Sequence, residues 1–170
     1  MNDTSLRAQL EQCHSEVFGW ALSLCRYNIT EAEDIVQTAY INILAGHAVF
    51  GQRSSFRTWL FGVVRMTARE LHRGAWLRRL RWISGVALEA TLDPAPRPDE
   101  TIEQEQHKLR LRRALVQLPR RQREVLQLVF YHELTISEAA EVMLVSLGTA
   151  RQHYERGKKR LREHLSAAIT

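Results

Sequence analysis

Cysteine is nearly missing from this chain of 170 residues: Cys13 and Cys25 are the only two, twelve apart in what reads as one helix. That spacing cannot bring their Cα atoms within disulfide range, so both are expected as packing residues. No uncharged stretch approaches the roughly 18 apolar residues of a membrane span, and no charged-then-apolar signal segment opens the chain, so a cytoplasmic protein without stable membrane insertion is expected. The seven histidines contain no pair at the short spacing of a zinc site, and no metal or cofactor is implied. Gly-rich phosphate loops, GxSxG elbows and HExxH motifs are also missing, which points away from an enzyme. Proline is scarce, with four in all, and Pro94, Pro96 and Pro98 cluster in a stretch from Ser84 to His107 that carries six acids and one base. This composition marks an acidic linker, placed at 84–100, between a first domain over 1–83 and a second over 101–170.

What is present is basic charge on a globular background. Lys and Arg number 24 against 19 acids, giving a net charge of +5, while 45% of residues are hydrophobic. That balance excludes a disordered chain and suggests an anionic partner. Sustained strand-like alternation is not seen, and an all-α protein of two small helical domains is expected. In the first domain Leu6, Leu10, Cys13, Val17, Ala21 and Leu24 predict a helix over about 4–27. Thr30 with Glu33 reads as a capping box for a second helix that stops at Gly46. Ser54 or Ser55 starts a third, which runs to Gly74 and is followed by a separate basic piece, Ala75 to Ile83.

The second domain carries the sharper signal. A helix over about 101–117 is followed by Leu118-Pro119, with Pro119 expected as the first residue of the next helix. Thr135 with Glu138 is a second capping box, opening a short helix to Met143; after Leu144-Val145-Ser146 comes a longer helix from Leu147 to about Leu165. Short helix, three-residue turn and second helix make a helix-turn-helix. With Ala150, Tyr154 and Leu161 inward, Leu147, Gly148, Arg151, Gln152 and Glu155 face outward where such a unit enters the major groove. Arg pairs with guanine and Gln with adenine, Ser146 and Thr149 reach toward phosphates, and the run Arg156, Lys158, Lys159, Arg160 and Arg162 supplies backbone contacts or keeps the helix solvated.

The first domain has a different basic site. Between Arg57 and Arg81 stand seven arginines and one acid, with Arg65, Arg69 and Arg73 at four-residue spacing. Phe50, Phe56 and Trp59 are interleaved nearby; Trp59 reads as core, whereas Phe50 and Phe56, beside the loop with Arg53, suit base stacking on single-stranded nucleic acid. Trp76, Leu77, Leu80 and Ile83 with their arginines also suit a membrane surface or a partner protein.

Taken in order, Ala32-Glu33-Asp34-Ile35-Val36-Gln37, Ser55-Phe56-Arg57-Thr58-Trp59-Leu60-Phe61, Leu118-Pro119 with Arg123-Glu124-Val125-Leu126, Gly148-Thr149 and Arg156 through Arg162 resemble the extracytoplasmic-function sigma factors. The resemblance implies an all-α chain in which region 2 and region 4 are joined by the linker, with core RNA polymerase, promoter DNA and an anti-sigma factor as partners. It places Asp34, Gln37, Thr38 and Ile41 against the polymerase clamp helices. It places Phe50, Arg53, Phe56, Arg57, Arg65, Arg69 and Arg73 on the single-stranded −10 element. Ser146, Leu147, Gly148, Thr149, Arg151, Gln152, His153, Glu155, Arg156 and Lys159 fall on the −35 duplex. Departures from the family pattern are Leu144 and Glu133 where glycine is usual, Met66 where asparagine is usual, Ala139 where a larger aliphatic is common, and His153 where a basic residue is frequent, a histidine that can still contact phosphate, more strongly when protonated. The competing expectations are a free-standing helix-turn-helix regulator, against which no dimer seam follows the last helix, and a small nucleic-acid-processing enzyme.

Overall fold

The structure, a computed structural model, describes residues 3–81 and 102–167, and among them the side chains of 5–74 and 106–166. The expected linker over 84–100, Ile83 and the side chains of Trp76, Leu77 and Leu80 lie outside the described residues. Seven α-helices and no strand occur among the described residues, and the chain divides into two compact units, Met1–Leu92 and Asp93–Thr170. No described helix is long and apolar enough to cross a membrane.

The first unit packs α1 (Asp3–Leu24), α2 (Ile29–Leu44) and α3 (Phe56–Arg81) each against the other two. The periodic apolar positions close on one another: Val17, Trp20 and Ala21 of α1 meet Ile35, Ala39 and Ile43 of α2 and Leu60, Phe61 and Val64 of α3 in the buried interior. Trp20 ties α1 to α3 twice over. Its indole N–H donates to the Phe61 carbonyl at 3.1 Å, and its ring stacks on the Phe61 ring with centroids 6.1 Å apart. Cys25 is buried, its thiol donating to the Ala21 carbonyl at 3.2 Å, and burial pushes that thiol up to about 12.

Three local expectations are corrected here. The first helix stops at Leu24 because Arg26 and Tyr27 turn left-handed, with φ of 56° and 69°. The second helix starts two residues earlier than the Thr30–Glu33 pair implies: the Asn28 side chain accepts from the Glu31 N–H at 2.9 Å and is the cap. It ends at Leu44, before the left-handed Gly46. The third helix, whose first turn is capped by the Ser55 hydroxyl accepting from the Thr58 N–H at 3.1 Å, runs unbroken through Gly74 to Arg81. A single glycine costs a helix about 1 kcal/mol, too little to end one that is otherwise well formed.

The second unit contains α4 (Ile102–Gln117), α5 (Arg120–Phe130), α6 (Ile136–Met143) and α7 (Leu147–Ala167). Helix α7 packs on the other three around Leu115, Leu118 and Leu126, with Leu111, Tyr154 and Leu161 against them. Pro119 caps α5 from outside rather than standing as its first residue. The capping box on α6 has both bonds: the Glu138 N–H donates to the Thr135 hydroxyl at 3.2 Å and the Thr135 N–H donates to the Glu138 carboxylate at 2.8 Å. At Gly157 α7 passes so close to α5 that a Cβ there would lie 3.1 Å from the Leu126 side chain and 3.3 Å from the Gln122 carbonyl oxygen. Helix α5 also buries Gln122, Arg123, Glu124 and Gln127, with Arg120 paired to Glu124 at 2.7 Å and Arg123 donating to the Val116 carbonyl at 3.4 Å.

Leu144, between α6 and α7, is left-handed with φ 54° and ψ 50°, and its side chain is 65% exposed. That conformation costs a leucine roughly 1–2 kcal/mol, and little packing offsets it. Leu144→Gly is therefore expected to stabilise the second unit by about 1 kcal/mol, after the greater chain entropy of glycine is subtracted. Urea unfolding followed by circular dichroism checks this, and an unchanged or lower midpoint would mean that the exposed leucine is held by contacts worth as much as the strain.

Candidate nucleic-acid interface

Helix α7 begins at a cap made by Ser146, whose hydroxyl accepts from the Thr149 N–H at 3.2 Å and lies 2.9 Å from the Thr149 hydroxyl. Ala150 and Gly157 are buried and Tyr154 half-buried, which turns the other side of the helix outward. Leu147, Gly148, Arg151, Gln152, Glu155, Arg156 and Lys159 are exposed, while Thr149 and His153 are half-buried. Tyr154 stacks on Phe130 with centroids 5.8 Å apart and carries the Lys158 ammonium 4.9 Å over its ring. The seat of α7 on α5 is therefore built partly from aromatic and cationic groups.

The surroundings of His153 disfavour its charged form. Burial, reinforced by the Arg121 and Arg156 guanidinium groups, holds its imidazole below the ordinary value, with Glu124 pulling weakly the other way. Arg121, exposed in the first turn of α5, is a cation near the recognition helix that sequence reading missed. The signal was its position just after Leu118-Pro119, which fixes where α5 starts.

On the first unit, Asp34 and Gln37 are exposed, Thr38 is half-buried and Ile41 is 63% exposed. They stand at i, i+3, i+4 and i+7 of α2, one stripe opposite the buried Ala32, Ile35, Val36, Ala39 and Ile43. Leu44 extends the same surface with 43% exposure.

The loop between α2 and α3 brings the aromatic candidates together. Phe50, Phe56 and Trp59 form a three-ring cluster with centroids 5.3–5.4 Å apart and all three half-buried. Trp59 thus belongs to the loop's aromatic cluster as well as to the helix, which the apolar periodicity of α3 had concealed. Val49, 76% exposed, and Arg53, exposed, flank the cluster. Arg57 pairs with Glu16 of α1 and lies 5.4 Å from the Phe61 ring centroid. Arg69 and Arg73 are exposed, but Arg65 is only 2% exposed and is withdrawn from the basic surface. Four residues advance a helix by about 400°, so each step of that spacing drifts about 40° and Arg73 lies about 80° around from Arg65. Arg65 falls between Phe61 and Ala68 on the inner side.

These arrangements can be set beside known proteins. Residues 10–85 match the family described as Sigma-70 region 2, and residues 114–163 the family described as Sigma-70, region 4. The chain is 30% identical over 137 residues to the ECF RNA polymerase sigma factor SigX of Bacillus subtilis, covering 79% of this chain and 71% of that protein. It is also 30% identical over 135 residues to the ECF RNA polymerase sigma factor RpoE of Cereibacter sphaeroides, covering 79% and 70%. Among solved structures, the sigma factor RpoE in complex with the anti-sigma factor NepR from Bartonella quintana superposes with a TM-score of 0.80 at 23% identity, over 95% of this chain and 97% of that one, which shows the shared fold. A helix-turn-helix with an outward basic face, a three-helix unit with an aromatic loop, and matches to both regions in chain order lead to one conclusion: the chain belongs to the extracytoplasmic-function RNA polymerase sigma factors.

Proposed function

We propose that the two units divide the work of a sigma factor between them, with 1–83 serving as region 2, 84–100 as the linker and 101–170 as region 4. The exposed stripe Asp34, Gln37, Thr38 and Ile41 docks on core RNA polymerase. The loop cluster of Phe50 and Phe56, with Arg53, Arg57, Arg69 and Arg73, holds the unstacked −10 strand by stacking and phosphate attraction. The outward face of α7, from Ser146 to Lys159, reads the −35 duplex in the major groove, where Arg151 and Gln152 supply the donors that distinguish base pairs. The protein works in the cytoplasm and catalyses nothing itself, and it is held by an anti-sigma factor, a reading supported by the complex of the Bartonella quintana sigma factor with NepR.

The observation that carries this reading is the exposure of Arg151 and Gln152 on the first turns of a helix whose opposite side is seated on α5. A free-standing regulator would leave the aromatic loop and the α2 stripe without a task. The test is run-off transcription with core polymerase on fragmented genomic DNA. The chain is expected to be required for discrete transcripts, and Arg151→Ala or Gln152→Ala to change which promoters are used, each costing about 1–3 kcal/mol of discrimination. Unchanged promoter choice in both variants would overturn the register assigned to α7.

A further inference from the structure

The first turn of the recognition helix is chemically unlike the second. Ser146 and Thr149, its two hydroxyl residues, are hydrogen-bonded to each other and to the helix start. Between them stand Leu147, 40% exposed, and Gly148, where an added Cβ would meet nothing closer than the Ser146 hydroxyl at 4.0 Å. Leu147 is therefore partly exposed beside a residue that has no side chain. Exposed Leu144 and half-buried Val145 adjoin it on the side of α6, in a shallow recess that Ser137 and Glu141 also line. One turn on, at i+4 and i+5 from Leu147, come the polar readers Arg151 and Gln152.

Among the groups that base pairs present in the major groove, the thymine C5-methyl is the one sizeable apolar group; cytosine offers only a C5–H at that position, and the others are hydrogen-bond donors or acceptors. Leucine offers neither donor nor acceptor. We infer that Leu147 is a specificity-determining residue that reads a thymine methyl group in the −35 duplex. This rests on the proposed reading that α7 enters the major groove. Gly148 contributes by leaving room for the base edge to reach the leucine. Leu147 and Arg151 are separated by four residues, about 6 Å along the helix, so the methyl lies within about two base pairs of the position that Arg151 reads.

The test uses the full chain on core polymerase and a promoter mapped by run-off transcription. Each thymine on both strands of the −35 region is replaced singly by deoxyuridine, which removes the methyl and nothing else. Burying one such carbon is worth about fourfold in affinity, equivalent to about 0.8 kcal/mol. One substitution is expected to weaken binding by about that factor. Leu147→Ala is expected to weaken the thymine promoter about as much and to make the uracil promoter no worse, while Leu147→Met keeps the discrimination.

A flat scan, with Arg151→Ala still changing promoter choice, would overturn the role of Leu147 and leave the reading of α7 intact. A flat scan with promoter choice unchanged in both Arg151→Ala and Gln152→Ala would overturn that reading as well. A uracil penalty that persists in Leu147→Ala would assign the methyl to another residue and so overturn the inference. Weakened assembly with core polymerase in Leu147→Ala, with DNA discrimination unchanged, would overturn it in favour of a protein contact.

Discussion

Trp20→Ala is expected to cost the first unit about 4 kcal/mol, enough to abolish its cooperative unfolding transition at 37 °C. Trp20 is fully buried, and three contributions go with the indole: the apolar area it removes from water, its stacking on Phe61, and its hydrogen bond to the Phe61 carbonyl. The alanine methyl fills little of the space left, and the packed helices around it collapse only partly into it. Trp20→Phe keeps most of the area while losing the hydrogen bond, so its cost is smaller, about 1–2 kcal/mol. Near-ultraviolet circular dichroism against urea, read on the full chain, separates the two variants. A cost below about 1 kcal/mol for the alanine variant would mean that α1 is not held to α3 through this residue.

Asp34→Lys is expected to raise the dissociation constant for core polymerase by one to two orders of magnitude while leaving the fold unchanged. Asp34 stands exposed on the outer stripe of α2, where a substitution alters stability by no more than about 0.5 kcal/mol. At an interface, however, reversal both removes an attractive pair and sets like charges together, and each tenfold corresponds to about 1.4 kcal/mol. Competition with a labelled sigma factor for core polymerase measures it, with the urea midpoint as the control for folding. Wild-type affinity in the variant would remove the α2 stripe from the docking face.

Much of this was legible in the residues. Helix order follows from apolar spacing, although Gly74 suggested a break where α3 runs on to Arg81, and the capping box at Thr135 and Glu138 marked α6 because a hydroxyl three residues before a carboxylate satisfies two end groups at once. The same pattern misled at Thr30 and Glu33, because Asn28 offers an equally good cap two residues earlier and only the tertiary fit of α1 to α2 decides between them. Four-residue spacing showed that Arg65, Arg69 and Arg73 are neighbours on a helix without showing which way each faces; the drift of the spacing carried Arg65 into the core. Hydropathy gave no warning that α5 would bury Gln122, Arg123, Glu124 and Gln127, since polar burial depends on partners that only the fold supplies. The outward residues of α7 were placed correctly because the inward ones, Ala150 and Gly157, are small and Tyr154 is long enough to reach over the seat.

The close crossing at Gly157 makes α7 a lever. Its fulcrum is the contact with Leu126 and Gln122, and its tip, Leu147, lies ten residues away, about 15 Å along the axis. A side chain at the fulcrum crowds Leu126 and Gln122 by a few tenths of an ångström, and whatever part of that crowding α5 does not absorb reaches the tip as a change of angle. On the proposed reading of α7, promoter preference would be adjustable from a residue buried against α5, and variation at position 157 would retune all of the reading side chains together rather than one base pair at a time.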